Sequence, residues 1–287
     1  MEIIQAVILG IIQGLSEFLP ISSSAHIVFT SNIYALLTGV PIDTESSQQA
    51  FLSIMLHLGT LAAILVYFRN ELWIIIKEFF KALYKKDFTS SEAMMGVYIL
   101  VGTVFTVAIA YPLKGITEKL LVSPAIVAVL LIFTGFILFF SEFKSKHMKN
   151  HTQNLDIKKA ILIGIAQGLA VFPGFSRSGW TIAAGLFSGM DRVTSTKFSF
   201  LLIIPVILGT SIMYPILEID SAEFVSYNWN AIIAGTVVAA IVGYLCIKYF
   251  LKFVAKFSMN FFAYYCIIVG LLVISFFTGI YYGAHNF

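Results

Sequence analysis

The chain is 287 residues long, 59% apolar and 11% charged, with a net charge of +3. A mean hydropathy of +0.92 is far above what a soluble domain of this size needs and excludes one, while the slight positive charge gives no footing for a nucleic-acid partner. What remains is an all-α polytopic membrane protein, read as one integral domain over residues 1–287 with no appended soluble module.

Residues 2–38 form an apolar region broken by Pro20. It opens on Glu2 with no Lys or Arg, so the basic start of a cleaved secretory signal is missing and the segment is expected to be retained. Residues 50–68 are the first uninterrupted stretch near the roughly 20 residues that cross a hydrocarbon core. A basic connection over 69–92 follows, then crossings at 93–111 and 123–140 and a second basic connection over 142–159. Residues 160–190 are again apolar but broken, at Pro173 and Gly174. Crossings at 198–217, 231–250 and 261–282 complete the set of six transmembrane helices. Proline and glycine interrupt the helical hydrogen-bond ladder. Each broken region therefore reads as two short arms, a re-entrant helical hairpin that enters and leaves by one face; a continuous kinked span is the competing reading. Cys246 and Cys266 lie inside apolar stretches and read as small hydrophobes.

Short cytoplasmic loops gather Lys and Arg. Under the hairpin layout the segments 69–92, 142–159, 191–197 and 248–256 share one side, and they hold fifteen of the eighteen basic residues. Lys114 and Lys119 fall on the other side with the acidic residues Asp43, Glu45, Glu218, Asp220 and Glu223, and Arg177 lies within the second break. Reading either break as a full crossing scatters these charges. One hairpin plus three crossings per half reverses the second half, giving an inverted-topology repeat of about 1–142 and about 158–287. Both termini are expected outside, and the hairpin tips are expected to meet near the midplane.

The two breaks are diverged copies. Gly10, Gln13, Gly14, Leu15, Phe18, Ser22 and Ser24 recur without a gap as Gly164, Gln167, Gly168, Leu169, Phe172, Ser176 and Ser178. The first copy crowds Glu17, Ser22, Ser23, Ser24 and His26 into ten residues, and the second sets Ser176, Arg177, Ser178 and Thr181 after Gly174. Titratable groups at membrane depth are costly and mark function. A helix start offers free N–H groups and positive dipole character to a phosphate; serines add donors, and Arg177 adds a planar cationic fork. Glu17 and His26 exceed what binding needs and point to phosphoanhydride hydrolysis. Spacing leaves the roles open: attack by His26 or by a His26-activated Ser23, with Glu17 orienting the histidine, holding a divalent cation or protonating the leaving group.

The run Gln13 to His26 (QGLSEFLPISSSAH) and the run Pro173 to Thr181 (PGFSRSGWT) resemble the two signature motifs of the undecaprenyl-diphosphate phosphatase (BacA/UppP) family. The similarity extends to His57-Leu58-Gly59-Thr60, to Asp191-Arg192 and to Phe198 through Pro205, nearly the whole chain. The resemblance implies removal of the terminal phosphate from a polyprenyl diphosphate, recycling the monophosphate carrier of cell-envelope synthesis and conferring bacitracin resistance. It also implies a plasma-membrane enzyme with a site facing outward and a divalent cation, Mg²⁺ or Ca²⁺. Carried over by position, Glu17, Ser23, His26 and Arg177 are the catalytic set, with Gln13, Ser22, Ser24, Gly174, Ser176, Ser178 and Thr181 around the substrate and Glu17 as the metal ligand. Gln13 stands where many members carry a second glutamate, which puts a two-carboxylate metal site in doubt. Ala25 replaces a frequent glycine.

Other features read more plainly. His57, in an apolar crossing, is expected to be a core histidine. Gly10, Gly14, Gly164 and Gly168 read as a helix-packing device, and Gln13 and Gln167 as a polar pair near the repeat axis. Trp73, Trp180 and Trp229 fit interfacial anchoring. Expected partners are the polyprenyl lipid, the bilayer and a second copy in a homodimer. The alternative function is a polyprenyl-phosphate transporter or flippase, for which Glu17 and His26 are superfluous.

Overall fold

The computed structural model describes residues 2–39, 47–120, 123–148, 151–218 and 227–285. Asp43, Glu45, Asp220 and Glu223, the acidic residues assigned to outer loops, lie outside them. The described residues form helices α1 (Ile3–Ser16), α2 (Ser23–Thr38), α3 (Ser47–Tyr67), α4 (Arg69–Lys85), α5 (Ser91–Leu120) and α6 (Pro124–His147). They continue with α7 (Ile157–Leu169), α8 (Arg177–Phe187), α9 (Arg192–Glu218), α10 (Trp229–Val254) and α11 (Asn260–His285). Six of these, α3, α5, α6, α9, α10 and α11, are long and apolar enough to cross a membrane. The protein is an all-α polytopic membrane protein.

Both predicted breaks are present. α1 stops at Ser16 and α2 starts at Ser23, while α7 stops at Leu169 and α8 starts at Arg177. The four arms have 11 to 16 residues, roughly 16–24 Å at 1.5 Å per residue, short of the ~30 Å hydrocarbon core. Asp156 starts α7 as its N-cap, accepting from the Lys159 amide at 2.9 Å; that hydrogen bond holds its carboxyl below the usual range.

Each broken region packs against the other half. α1 lies on α10, and α7 lies on α5. The recurring glycines make these contacts: Gly10 meets the Gly235 backbone and Gly164 meets the Gly102 backbone, so closely that a Cβ on either would collide with a carbonyl oxygen. Gly10→Ala and Gly164→Ala are each expected to cost about 1–3 kcal/mol of stability through overpacking, read as a lower unfolding temperature in detergent.

The connection over 69–92 departs from expectation. Most of it is α4, an amphipathic helix whose Ile75 and Ala82 are buried. Lys81 pairs with Glu78 (2.8 Å), and Trp73 and Tyr84 stand 68% and 90% exposed. Its apolar residues recur at three- and four-residue spacing between charges, the pattern of an interfacial helix. Counting charges alone hid that period. Trp180 packs on Phe175, ring centroids 4.4 Å apart.

The core holds the first break in place. Phe18, 1% exposed, meets Phe200 of α9 edge-on at 5.2 Å. Cys246 and Cys266 are free and buried, their thiols directed at the carbonyls of Leu15 and Pro20. A second ion pair sits away from the breaks, where buried Glu142 of α6 binds Arg192 of α9 and accepts from the Met259 amide.

Candidate active site

The two serine-containing tips are built alike. Ser22 caps α2 by accepting from the Ala25 amide (3.3 Å), and Ser176 caps α8 by accepting from the Gly179 amide (3.2 Å). Each cap then contacts the serine two residues on, Ser22 with Ser24 and Ser176 with Ser178, both at 3.2 Å. These outer serines also stitch the tips together: Ser24 accepts from the Gly174 amide at 3.3 Å, and Ser178 donates to the Leu19 carbonyl at 3.0 Å. Gly174 has φ +99°, and a Cβ there would strike the Val127 carbonyl, so glycine is required. Ser22 has φ +69°, a region that costs a residue with a Cβ and recurs at functional sites.

With the outer serines committed, the middle residue of each triplet remains. Ser23 and Arg177 occupy equivalent positions, and both reach Glu17. The Ser23 hydroxyl donates to Glu17 Oε2 at 2.8 Å, and the Arg177 guanidinium pairs with Oε1. Gln13 Nε2 adds a bond to Oε2 at 2.9 Å. His57 stands 3.7 Å from Oε2 while its Nδ1 donates to the Ser53 carbonyl at 2.7 Å. A carboxylate that is 4% exposed needs this company. Arg177 retains 22% side-chain exposure and spare donors for a ligand.

Glu17 and Arg177 face a cavity of about 330 Å³. Of the predicted site residues, Glu17, Ser23, Ser24, Ser176 and Arg177 line it. Gln13, Ser22, Gly174 and Ser178 stand outside the lining and hold those residues in place through the bonds above. Thr181 also lies outside it, bonded to the Arg177 carbonyl (2.8 Å) and to Ser199 (2.6 Å). His26 is not in the lining either; its Nδ1 donates to the Ser22 carbonyl and its Nε2 pairs with the Tyr265 hydroxyl, both at 2.8 Å.

Sequence reasoning missed part of the wall. His57, expected in the core, lines the cavity beside Ser53 on α3, with Thr106 on α5, Gln167 on α7, and Thr210 and Ser211 on α9. The available signal was four-residue spacing: Ser53 and His57 fall on one face of an otherwise apolar helix.

A family model described as bacitracin resistance protein BacA matches residues 6–272. The chain belongs to the BacA family. Its relatives include the undecaprenyl-diphosphatase of Halothermothrix orenii, 38% identical over 96% of this chain and 98% of the relative. Those of Methanobrevibacter smithii (37%, over 95% and 97%) and Methanosphaera stadtmanae (35%, over 96% and 98%) are similar in the same way. The runs Ser22-Ser23-Ser24 and Ser176-Arg177-Ser178, and the Glu17–Arg177 pair, lie inside the matched range.

The chemistry of the BacA-family site follows from its parts. A hydroxyl donating to a buried carboxylate has the geometry that attack assisted by a general base requires. A guanidinium on the other side of that carboxylate is placed to receive phosphoryl oxygens. Among the described residues no three His, Cys, Asp or Glu side chains gather as a metal cage. Both Glu17 oxygens already face donors, so the donor set does not fit a cation held by the protein alone.

Proposed function

We propose that this BacA-family protein hydrolyses an undecaprenyl-type diphosphate to the monophosphate carrier and inorganic phosphate, for lipid-carrier recycling in envelope synthesis. One observation carries the reading: the Ser23 hydroxyl from one tip and the Arg177 guanidinium from the other converge on a single buried carboxylate beside a cavity. A lipid-phosphate transporter needs a cation and donors, but not a hydroxyl directed at a base.

In the proposed reaction Arg177 turns from Glu17 to the terminal phosphoryl group, joined by Ser24 and Ser176. Ser23 Oγ then attacks phosphorus and its proton passes to Glu17. The bond to the bridging oxygen breaks, and its electron pair leaves on the polyprenyl monophosphate. Water next attacks phosphoryl-Ser23, the Oγ–P bond breaks, and Ser23 recovers a proton through Glu17. His26, held by Ser22 and Tyr265, orients the first turn of α2 and so the Ser23 side chain.

The inverted repeat is part of the proposal. Reciprocal packing of α1 on α10 and α7 on α5 supports it, as do the matched serine stitches. The basic residues then face the cytoplasm, both termini lie outside, and the site opens outward. All the groups invoked come from one chain, so a homodimer would carry two independent sites.

Purified protein in detergent with undecaprenyl diphosphate and Mg²⁺ tests the function by phosphate release, since detergent removes the two compartments that transport requires. No release under these conditions would sink the reading. The divalent cation is proposed to be held by the diphosphate oxygens, as Mg²⁺ often is, neutralising their charge. Chelation is expected to slow release by about two orders of magnitude or more. The half-maximal cation concentration should follow diphosphate concentration; a fixed value at all substrate levels would point to a protein-held site.

A further inference from the structure

Ser22 and Ser176 occupy equivalent places in the two tips, but their backbones differ. Ser176 has φ −85° and ψ 113°, ordinary extended values, while Ser22 has φ 69° and ψ 100°. A residue with a Cβ keeps such a positive φ only where its surroundings over-determine it. The residue four places on differs as well. In the second copy it is Trp180, which sends its backbone amide to the Ser176 carbonyl at 2.8 Å and its ring to Phe175. In the first copy it is His26, whose amide stands farther from the Ser22 carbonyl, at 3.3 Å, and whose Nδ1 bonds that carbonyl at 2.8 Å. The ring contact belongs to the tip that carries the strained residue.

A carbonyl only accepts, so His26 Nδ1 carries a proton. In the neutral ring Nε2 is then bare, and the Tyr265 hydroxyl donates to it at 2.8 Å. The tyrosine ring also stacks on the imidazole, centroids 5.7 Å apart with 14° between the planes. Moving the proton to Nε2 would set a lone pair on Nδ1 against the carbonyl oxygen and release the Ser22 peptide. That peptide unit is planar and leads into Ser23, so the direction of its carbonyl sets where the Ser23 side chain departs. Cys266, next to Tyr265 on α11, directs its thiol at the Pro20 carbonyl. α11 therefore holds the first tip both before and after Ser22 in the chain.

We propose that Tyr265 is a positioning residue for the reaction: its hydroxyl keeps the His26 proton on Nδ1, that proton clamps the Ser22 carbonyl, and the clamp holds Ser22 in its positive-φ backbone with Ser23 aimed at Glu17. This rests on the phosphatase reading above and adds to it a tyrosine from the carboxy-terminal half. Tyr265 neither gains nor loses a proton in the reaction. The clamp also leaves the neutral His26 ring no free nitrogen, so attack on phosphorus falls to Ser23 and its proton to Glu17.

Tyr265→Phe keeps the stacked ring and removes the hydroxyl. In purified protein given undecaprenyl diphosphate and Mg²⁺, its kcat is expected to fall about 10–100-fold, the scale of a misplaced reacting group. KM should stay within about twofold of the wild type, because Arg177 and its neighbouring donors are untouched. Labelling histidine with ¹⁵N gives a readout that packing alone would not move. The wild-type His26 signals, identified as those missing from His26→Asn, should show a protonated Nδ1 and a bare Nε2; in Tyr265→Phe the proton should be shared between the two nitrogens. The amide of His26→Asn supplies an N–H donor near the place of Nδ1 with no tautomer to select, so adding Tyr265→Phe to it should slow turnover by less than about twofold more. A wild-type His26 with its proton on Nε2 would overturn the proposal, and so would normal kcat in Tyr265→Phe, a loss confined to KM, or a slower variant whose tautomer is unchanged. The full 10–100-fold loss appearing again in the His26→Asn background would do the same. Should Tyr265→Phe not survive extraction, the wild-type spectrum still decides, with the proton on Nδ1 supporting the clamp and on Nε2 refuting it. That spectrum does not depend on turnover, so absence of phosphate release by the wild-type protein is a different result and counts against the phosphatase reading itself.

Discussion

Ser23→Ala is expected to reduce phosphate release from undecaprenyl diphosphate by roughly 10⁴-fold or more, the scale of losing a nucleophile, with the protein still folded in detergent. The hydroxyl donates a single bond, to Glu17 Oε2 at 2.8 Å, and the outer serines supply the caps and stitches, so its removal leaves the architecture standing. Ser23→Cys keeps a nucleophile at that point and should retain measurable turnover. A variant lacking the hydroxyl that keeps more than roughly a tenth of the rate would transfer the attack to water and remove Ser23 from the covalent path.

Arg177→Ala is expected to cost roughly 10³–10⁵-fold in kcat/KM, the range found when a phosphoryl-stabilising arginine is withdrawn. Unlike Ser23→Ala, it should also destabilise the fold, by about 3–5 kcal/mol, because it strands a buried carboxylate. Combining it with Glu17→Gln removes the stranded charge. The double variant should recover most of the thermal stability and none of the activity. Lysine at 177 replaces the charge without the fork and should recover only a fraction of the rate. If Arg177→Ala lost stability but kept near-normal turnover, the pair would be structural and the site would have to be sought elsewhere.

What was legible in the sequence was the polar minority. Serines, Glu17 and Arg177 at breaks in apolar runs have few reasons to be there other than a site, and their repetition located both tips. The glycines at four-residue spacing were legible for the same reason, since close backbone approach leaves few residue choices. His57, Thr106 and Ser211 were not, because one polar residue on a long apolar helix faces a cavity or a neighbour according to the rotation of that helix, which packing decides. His26 shows the converse. It is one helical turn from Ser23 and reads as its partner, yet Tyr265 of α11, 239 residues away, holds its ring. α4 was hidden by its lysines, which mark topology and are also the polar face of an amphipathic helix.

The pairing across the tips also sets a schedule for biogenesis. Arg177 follows Glu17 by 160 residues, so at roughly 5–20 residues per second a ribosome makes the carboxylate about 8–32 s before its counter-charge. The Gly174 amide that meets Ser24 and the Ser178 hydroxyl that meets Leu19 arrive just as late. Until then the first break is a segment with an unpaired acid and unfilled hydrogen bonds, costly to leave in hydrocarbon. The nascent amino-terminal half therefore has to wait at the water boundary or inside the insertion machinery. Its own half offers Glu17 only Gln13, Ser23 and His57, and no guanidinium.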